Sequence, residues 1–204
     1  MKTSASNLHF FLGLISAHIL LYITYQDANV FWYLYTASIL FCICFAIVIE
    51  GKKIHQSSIN NMLFGVISGI ALFAIFALGN YLIDLVNIKS ISKDISQLYK
   101  LYSPSLLWHY LVLFIIIIPG EEIFWRGFIQ KKISNHFQAK ATVAISAIMY
   151  TLPMIYSQNY ALILAGLVAG MVWAILYQWK NSLTLVIISH IIFDLFLLIL
   201  FPLT

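Results

Sequence analysis

Two small groups of ionisable side chains carry nearly all the chemistry that this sequence offers inside its apolar segments. The first is Glu121, Glu122 and Arg126, in Pro119-Gly120-Glu121-Glu122-Ile123-Phe124-Trp125-Arg126, and Arg126 is the only arginine in the chain. The second is His190 and Asp194, in Ser189-His190-Ile191-Ile192-Phe193-Asp194. On a helix, Glu122 and Arg126 are i,i+4 neighbours in the acid-then-base order that favours an ion pair. Glu121 points about 100° away, so Arg126 can neutralise Glu122 and leave Glu121 to a different task. A carboxylate in an apolar setting without a full counter-charge is a candidate general base for water. His190 and Asp194 are again i,i+4, and a histidine with an orienting carboxylate can donate to a developing oxyanion or relay a proton. Either pair alone is as readily explained by helix bracing. Depth joins them: counted from Lys131 and from Lys180, the glutamates and His190 each lie roughly 15 Å inside the same end of the bundle, at ~1.5 Å per residue.

The elements that must position these groups are membrane helices. Of 204 residues, 62% are hydrophobic, 16% aromatic and only 9% charged, and the mean hydropathy is +0.95. Apolar stretches near 8–26, 30–49, 62–83, 105–129, 142–156, 160–178 and 183–201 approach the ~20 residues that a spanning helix needs. The expected fold is all-α, a polytopic membrane helix bundle of about seven transmembrane helices, with 142–156 short enough to be partly re-entrant. Residues 1–204 read as a single membrane domain, without repeats, low-complexity tracts or a separating linker. The first stretch follows only Lys2 and lacks a small-residue cleavage site, so it reads as a retained helix.

Lys2, Lys52, Lys53, Lys131, Lys132, Lys140 and Lys180 fall at one set of alternating ends, and Lys89, Lys93 and Lys100, diluted by Asp84 and Asp94, at the other. The positive-inside rule then puts the N-terminus in the cytoplasm. The isoelectric point of about 9.0 is thereby topological, with no nucleic-acid signal in it. Cys42 and Cys44 are two apart on a helix, face different directions and read as small core residues rather than a disulfide or a metal pair. Pro119-Gly120 is expected to interrupt its helix, so that a new helical start lends positive dipole character to the two carboxylates. Between spans, Ile91, Ile95, Leu98 and Leu101 recur at helical spacing, which fits either an interfacial amphipathic helix or an ordered loop. Gly65 with Ser68-Gly69, and Gly166 with Gly170, supply small faces for close helix packing.

These residues resemble the CPBP family of intramembrane proteases, the group that contains the prenyl-protein CAAX endopeptidase and the bacterial Abi or bacteriocin self-immunity proteins. Its first motif, Glu-Glu-x-x-x-Arg, is matched by Glu121, Glu122 and Arg126, with Gly127 following. A later motif, His-x-x-x-Asn or Asp, is matched by His190 and Asp194, after Asn181-Ser182-Leu183. The resemblance covers about residues 105–201, the family core. It implies that Glu121 activates water in a cavity open to the membrane, that His190 and Asp194 stabilise the oxyanion, and that Glu122 with Arg126 is a structural brace. Members have been called metalloproteases, but only His190 matches a histidine motif, and no bound zinc or other cofactor is expected.

One family motif, Phe-x-x-x-His, departs. Its stretch here is Ser146-Ala147-Ile148-Met149-Tyr150-Thr151-Leu152-Pro153-Met154, with Tyr150 at the Phe position and Met154 where the histidine should stand. A thioether neither shuttles a proton nor positions a water well. Tyr150 and His18 are the auxiliary candidates, each also explained by packing or a satisfied polar contact, whereas His9, His55, His109 and His136 are assigned no chemistry. Three functions fit these residues. One is an endopeptidase acting on a membrane-embedded or membrane-apposed peptide or protein. The second is a catalytically impaired relative that binds a partner, as in bacteriocin immunity or envelope signalling. The weakest is a small proton-coupled carrier, against which stand the short length and the lack of repeated halves. Ten lysines to one arginine, with abundant Ile, Phe, Tyr and Asn, fit an AT-rich bacterial genome and hence a multi-pass plasma-membrane protein.

Overall fold

A computed structural model describes residues 2–51 and 58–203, with side chains from Leu8 onward. The orientation markers Lys52 and Lys53, the side chain of Lys2, and His55 lie outside the described residues. The described chain is helical throughout: α1 (Lys2–Thr24), α2 (Phe31–Glu50), α3 (Ile59–Val86), α4 (Lys89–Tyr102), α5 (Leu107–Ser134), α6 (Ala139–Ser157), α7 (Tyr160–Lys180) and α8 (Leu183–Leu200). Among the described residues, six of these (α2, α3 and α5–α8) are long and apolar enough to cross a membrane, and Leu8–Thr24 of α1 is a shorter apolar helix. Helices are what such a chain must form, because lipid offers no partner for a backbone N–H or C=O. Their outward faces keep large apolar side chains such as Ile15, Ile67, Leu78 and Ile115 exposed.

Local signals set where the helices start and stop. Ser58 caps α3 by accepting from the Asn60 N–H, and Asn87 ends it in the left-handed conformation. Between α7 and α8 the chain reverses in two residues. Asn181 takes φ 46° and Ser182 accepts from the Leu185 N–H at 3.3 Å. Asparagine tolerates that conformation and serine is a strong N-cap, so this short connector sets the register that carries His190 into the bundle.

The expected break at Pro119-Gly120 does not occur. Residues 107–134 run as one helix, but with π-helical turns at Leu113–Ile117 and Ile123–Gln130 on either side of Ile118–Glu122. Proline lacks an N–H and crowds the carbonyl four residues back, and wider π turns absorb that mismatch without ending the helix. Glu121 and Glu122 therefore lie mid-helix, with no new N-terminus beneath them.

Close packing is built on small residues. A Cβ on Gly65 would lie 2.8 Å from the Leu185 carbonyl, and one on Gly69 would lie 2.5 Å from that of Ser189, so α3 and α8 touch backbone to backbone. Ser68 adds a hydroxyl bond to Ser189 at 3.0 Å. Cys42 is buried and Cys44 exposed, both as free thiols.

The polar connector forms a helix, α4, that lies across the ends of α7 and α8. Ile91, Ile95 and Leu98 face an apolar groove of about 240 Å³ shared with α3 and α7, while Leu101 stays exposed. Two sets of bonds hold α4 there. Asn159 donates to the Asp94 carbonyl at 2.8 Å while the Tyr160 N–H reaches the Asp94 carboxylate at 3.1 Å. The Tyr99 hydroxyl donates to the Leu197 carbonyl at 2.9 Å and accepts from the Leu203 N–H at 3.1 Å.

Candidate active site

Glu121 and Glu122 leave α5 in different directions, and each meets a different set of partners. Glu122 is fully buried (0% exposed) and stands between two cationic or donor groups. Arg126 Nε approaches its Oε2 at 3.3 Å, an ion pair without hydrogen-bond alignment. His190 Nδ1 bonds its Oε1 at 2.9 Å. The Glu122–Arg126 contact expected of an α-helical i,i+4 pair persists although a π turn begins at Ile123. Arg126 (1% exposed) also donates from Nη2 to the Gly170 carbonyl at 3.1 Å, and its guanidinium lies 4.4 Å over the Tyr150 ring. Such a cation over an aromatic face is attracted by the ring quadrupole.

His190 is held on three sides. Glu122 takes Nδ1, and Trp173 of α7 stacks on the ring with centroids 3.7 Å apart and planes 23° apart. Asp194, one turn further along α8, faces Nε2 at 3.6 Å. The carboxylate closest to the imidazole is therefore Glu122 rather than the Asp194 of its own helix, because the α5–α8 packing brings the two chains of residues into register.

Glu121 (6% exposed) is free of Arg126 and instead accepts two phenolic hydroxyls. Tyr35 of α2 donates to its Oε1, and Tyr150 of α6 donates to its Oε2 at 2.9 Å. Glu121, Tyr35, Tyr150, Met154, Trp173, His190 and Asp194 all line one cavity of about 200 Å³, walled elsewhere by apolar side chains and closed in part by Leu98 and Tyr102 of α4. The arrangement is a chain of polar contacts, Arg126–Glu122–His190–Asp194, beside a second, Tyr35–Glu121–Tyr150. Both meet in one mostly apolar space, where fixed dipoles and charges act far more strongly than in water.

The structure thus brings Glu121, Tyr150, Met154, His190 and Asp194 together at the cavity, with Glu122 and Arg126 packed behind it. His18 lies apart: its Nδ1 pairs with the Tyr156 hydroxyl at 3.0 Å, and it is not among the cavity-lining residues. The seat of α1 against the end of α6 turns it away from Glu121. His109 stacks on Trp32 and accepts from the Ser105 N–H, which accounts for it structurally. The sequence reading missed Tyr35 and Trp173. Their only signal was a polar-tipped aromatic within an apolar span, which is weak in a chain with 12 tyrosines and five tryptophans.

Among the described residues, no group of three or more His, Cys, Asp and Glu side chains is arranged to hold a metal ion. The Glu121 oxygens accept from Tyr35 and Tyr150, and those of Glu122 face Arg126 and His190.

Residues 103–196, which span both motifs and the helices that position them, match the family model described as Type II CAAX prenyl endopeptidase Rce1-like. No curated protein and no solved structure matches the chain.

Proposed function

We propose that this membrane protein is an intramembrane endopeptidase that uses Glu121 to activate water, a reading supported by the match of residues 103–196 to the type II CAAX prenyl endopeptidase Rce1-like model. One observation carries the reading. Glu121 and His190 face the same small apolar cavity from different helices, while Glu122 and Arg126 neutralise one another behind it. A membrane-embedded or membrane-apposed peptide entering that cavity presents its scissile carbonyl between a base and a donor.

The reaction then runs in two steps. A Glu121 oxygen takes a proton from water as the water oxygen bonds to the carbonyl carbon, and the C=O π pair moves onto the carbonyl oxygen. His190, as the imidazolium whose charge Glu122 and Asp194 offset, donates from Nε2 to that oxyanion. Collapse re-forms the C=O bond and breaks the C–N bond. The proton on Glu121 passes to the departing nitrogen, releasing an amine and a carboxyl product. Glu122 orients His190 through Nδ1, and Arg126 holds Glu122 in place.

A second reading, a relative that keeps the cavity for binding in immunity or signalling but does not cut, is favoured by Met154. It lines the cavity where the family motif carries histidine. Cleavage by purified protein of a panel of membrane peptides separates the two. On the endopeptidase reading, Glu121→Gln lowers the rate by at least ~10²-fold, the scale of a lost general base. A wild type that cuts nothing, together with a Met154→His variant that does, points to a catalytically impaired relative instead.

A further inference from the structure

The residue on which the proposed reaction turns has no histidine partner, and the structure gives it two phenols instead. Tyr35 donates to one carboxylate oxygen of Glu121 and Tyr150 to the other. A buried tyrosine ordinarily finds some acceptor for its hydroxyl. Two tyrosines from separate helices converging on the two oxygens of one cavity-lining carboxylate exceed that requirement. One of them, Tyr35, stands on α2, outside the segment that matches the family.

The geometry around the phenols is itself constrained. Tyr150 is overlain by the Arg126 guanidinium at 4.4 Å and met edge-on by Trp125 at 5.8 Å. Gly170 leaves it room, since a Cβ there would lie 2.7 Å from Tyr150 Cδ1. The Tyr35 ring rests on Phe31 at 5.1 Å. With one donor, a carboxylate still swivels about its terminal bond. With a fixed donor on each oxygen, its plane is set. Each oxygen of an ionised carboxylate has about two acceptor positions, so one on each remains for water.

We infer that Tyr35 and Tyr150 are positioning residues of the hydrolytic reaction. They clamp the Glu121 carboxylate so that its remaining lone pairs face the cavity, in the role left open by Met154. Both phenols keep their own protons throughout: the proton from water goes to Glu121 and then to the leaving nitrogen. The inference rests on Glu121 being the base, and it explains how that base is oriented without a histidine.

The test compares wild type, Tyr35→Phe, Tyr150→Phe and Glu121→Gln, each purified intact. Phenylalanine keeps the rings and removes only the hydroxyls, and thermal melting confirms that the variants fold. The infrared carboxylate band lost in Glu121→Gln identifies Glu121, and kcat and KM are measured separately on a peptide that wild type cleaves. The expected result is a shifted Glu121 band in both tyrosine variants. Their kcat falls by about 10- to 100-fold, the scale of lost alignment, while KM changes less than about twofold. An unmoved band in either variant overturns the clamp, as does an undiminished kcat where Glu121→Gln abolishes cleavage. A wild type that cleaves nothing removes the endopeptidase reading and this inference together, which differs from the case where only the tyrosine variants are silent.

Discussion

Removing Arg126 should destabilise the bundle strongly, and Arg126→Leu makes that cost measurable. Arg126 and Glu122 are 1% and 0% exposed, and the guanidinium faces the carboxylate at 3.3 Å, the Gly170 carbonyl at 3.1 Å and the Tyr150 ring at 4.4 Å. Deleting one partner of a buried ion pair costs about 3–5 kcal/mol, because the other charge is left without compensation. Glu122 would retain His190 at 2.9 Å, which places this term near 3 kcal/mol by the same scale. The lost contact with the Tyr150 face adds about 1 kcal/mol. The sum, about 4 kcal/mol, is roughly three decades in the unfolding equilibrium constant. Reversible unfolding of the micelle-bound protein by SDS, followed through tryptophan fluorescence, reads this directly. A second variant, Glu122→Gln with Arg126→Leu, should recover about 2 kcal/mol, since an amide in that position carries no orphaned charge and still accepts from His190. Arg126→Lys should fall between, as an ammonium lacks the planar fork that spans carboxylate, carbonyl and ring. Arg126→Leu unfolding at the wild-type SDS fraction would refute the reasoning, and so would a double variant no more stable than the single one.

Two further predictions follow from the packing and from α4. Gly69→Leu should lower both stability and cleavage, because a Cβ there meets the Ser189 carbonyl at 2.5 Å and displaces the helix that carries His190. Gly79→Leu, where a Cβ meets nothing within 4 Å, should be nearly neutral in the same SDS-unfolding and cleavage assays. Burial pushes the Tyr99 phenol above its ordinary value, so its contribution to stability is complete below a pH of about 10 and declines as pH rises further through its raised value. Tyr99→Phe should therefore remove that alkaline decline and cost about 1 kcal/mol for each of its two bonds, seen as faster hydrogen exchange in residues 196–203.

Much of the bundle and half of the site were legible along the chain, and the particular residues show why. The lengths of the apolar stretches, the i,i+4 spacing of Glu122 with Arg126 and of His190 with Asp194, and the periodicity that put Ile91, Ile95 and Leu98 on one face of α4 are consequences of helix geometry within a single element. Lipid enforces helical structure on such stretches, so sequence periodicity converts into structure with few alternatives. The shared depth of the two motifs followed in the same way, from counting residues inward from the lysine-bearing ends.

What only the tertiary structure decided is which side chains meet across helices. The α5–α8 contact made Glu122, rather than Asp194, the closest carboxylate to His190. The π turns around Pro119 carry the helix through a point where a break was expected, and neighbouring helices pack against both halves. The partners of Glu121 lie 86 residues before it and 29 after it, on α2 and α6, and no spacing rule connects them. Periodicity reports the face on which a residue lies. Where that face is aimed depends on the crossing and rotation of helices, set by the sum of many weak packing contacts such as those at Gly65, Gly69 and Gly170. The sequence by itself therefore determined a membrane helix bundle with two charged motifs at one depth, and the packing of that bundle decided that Glu121 faces its cavity between two tyrosines.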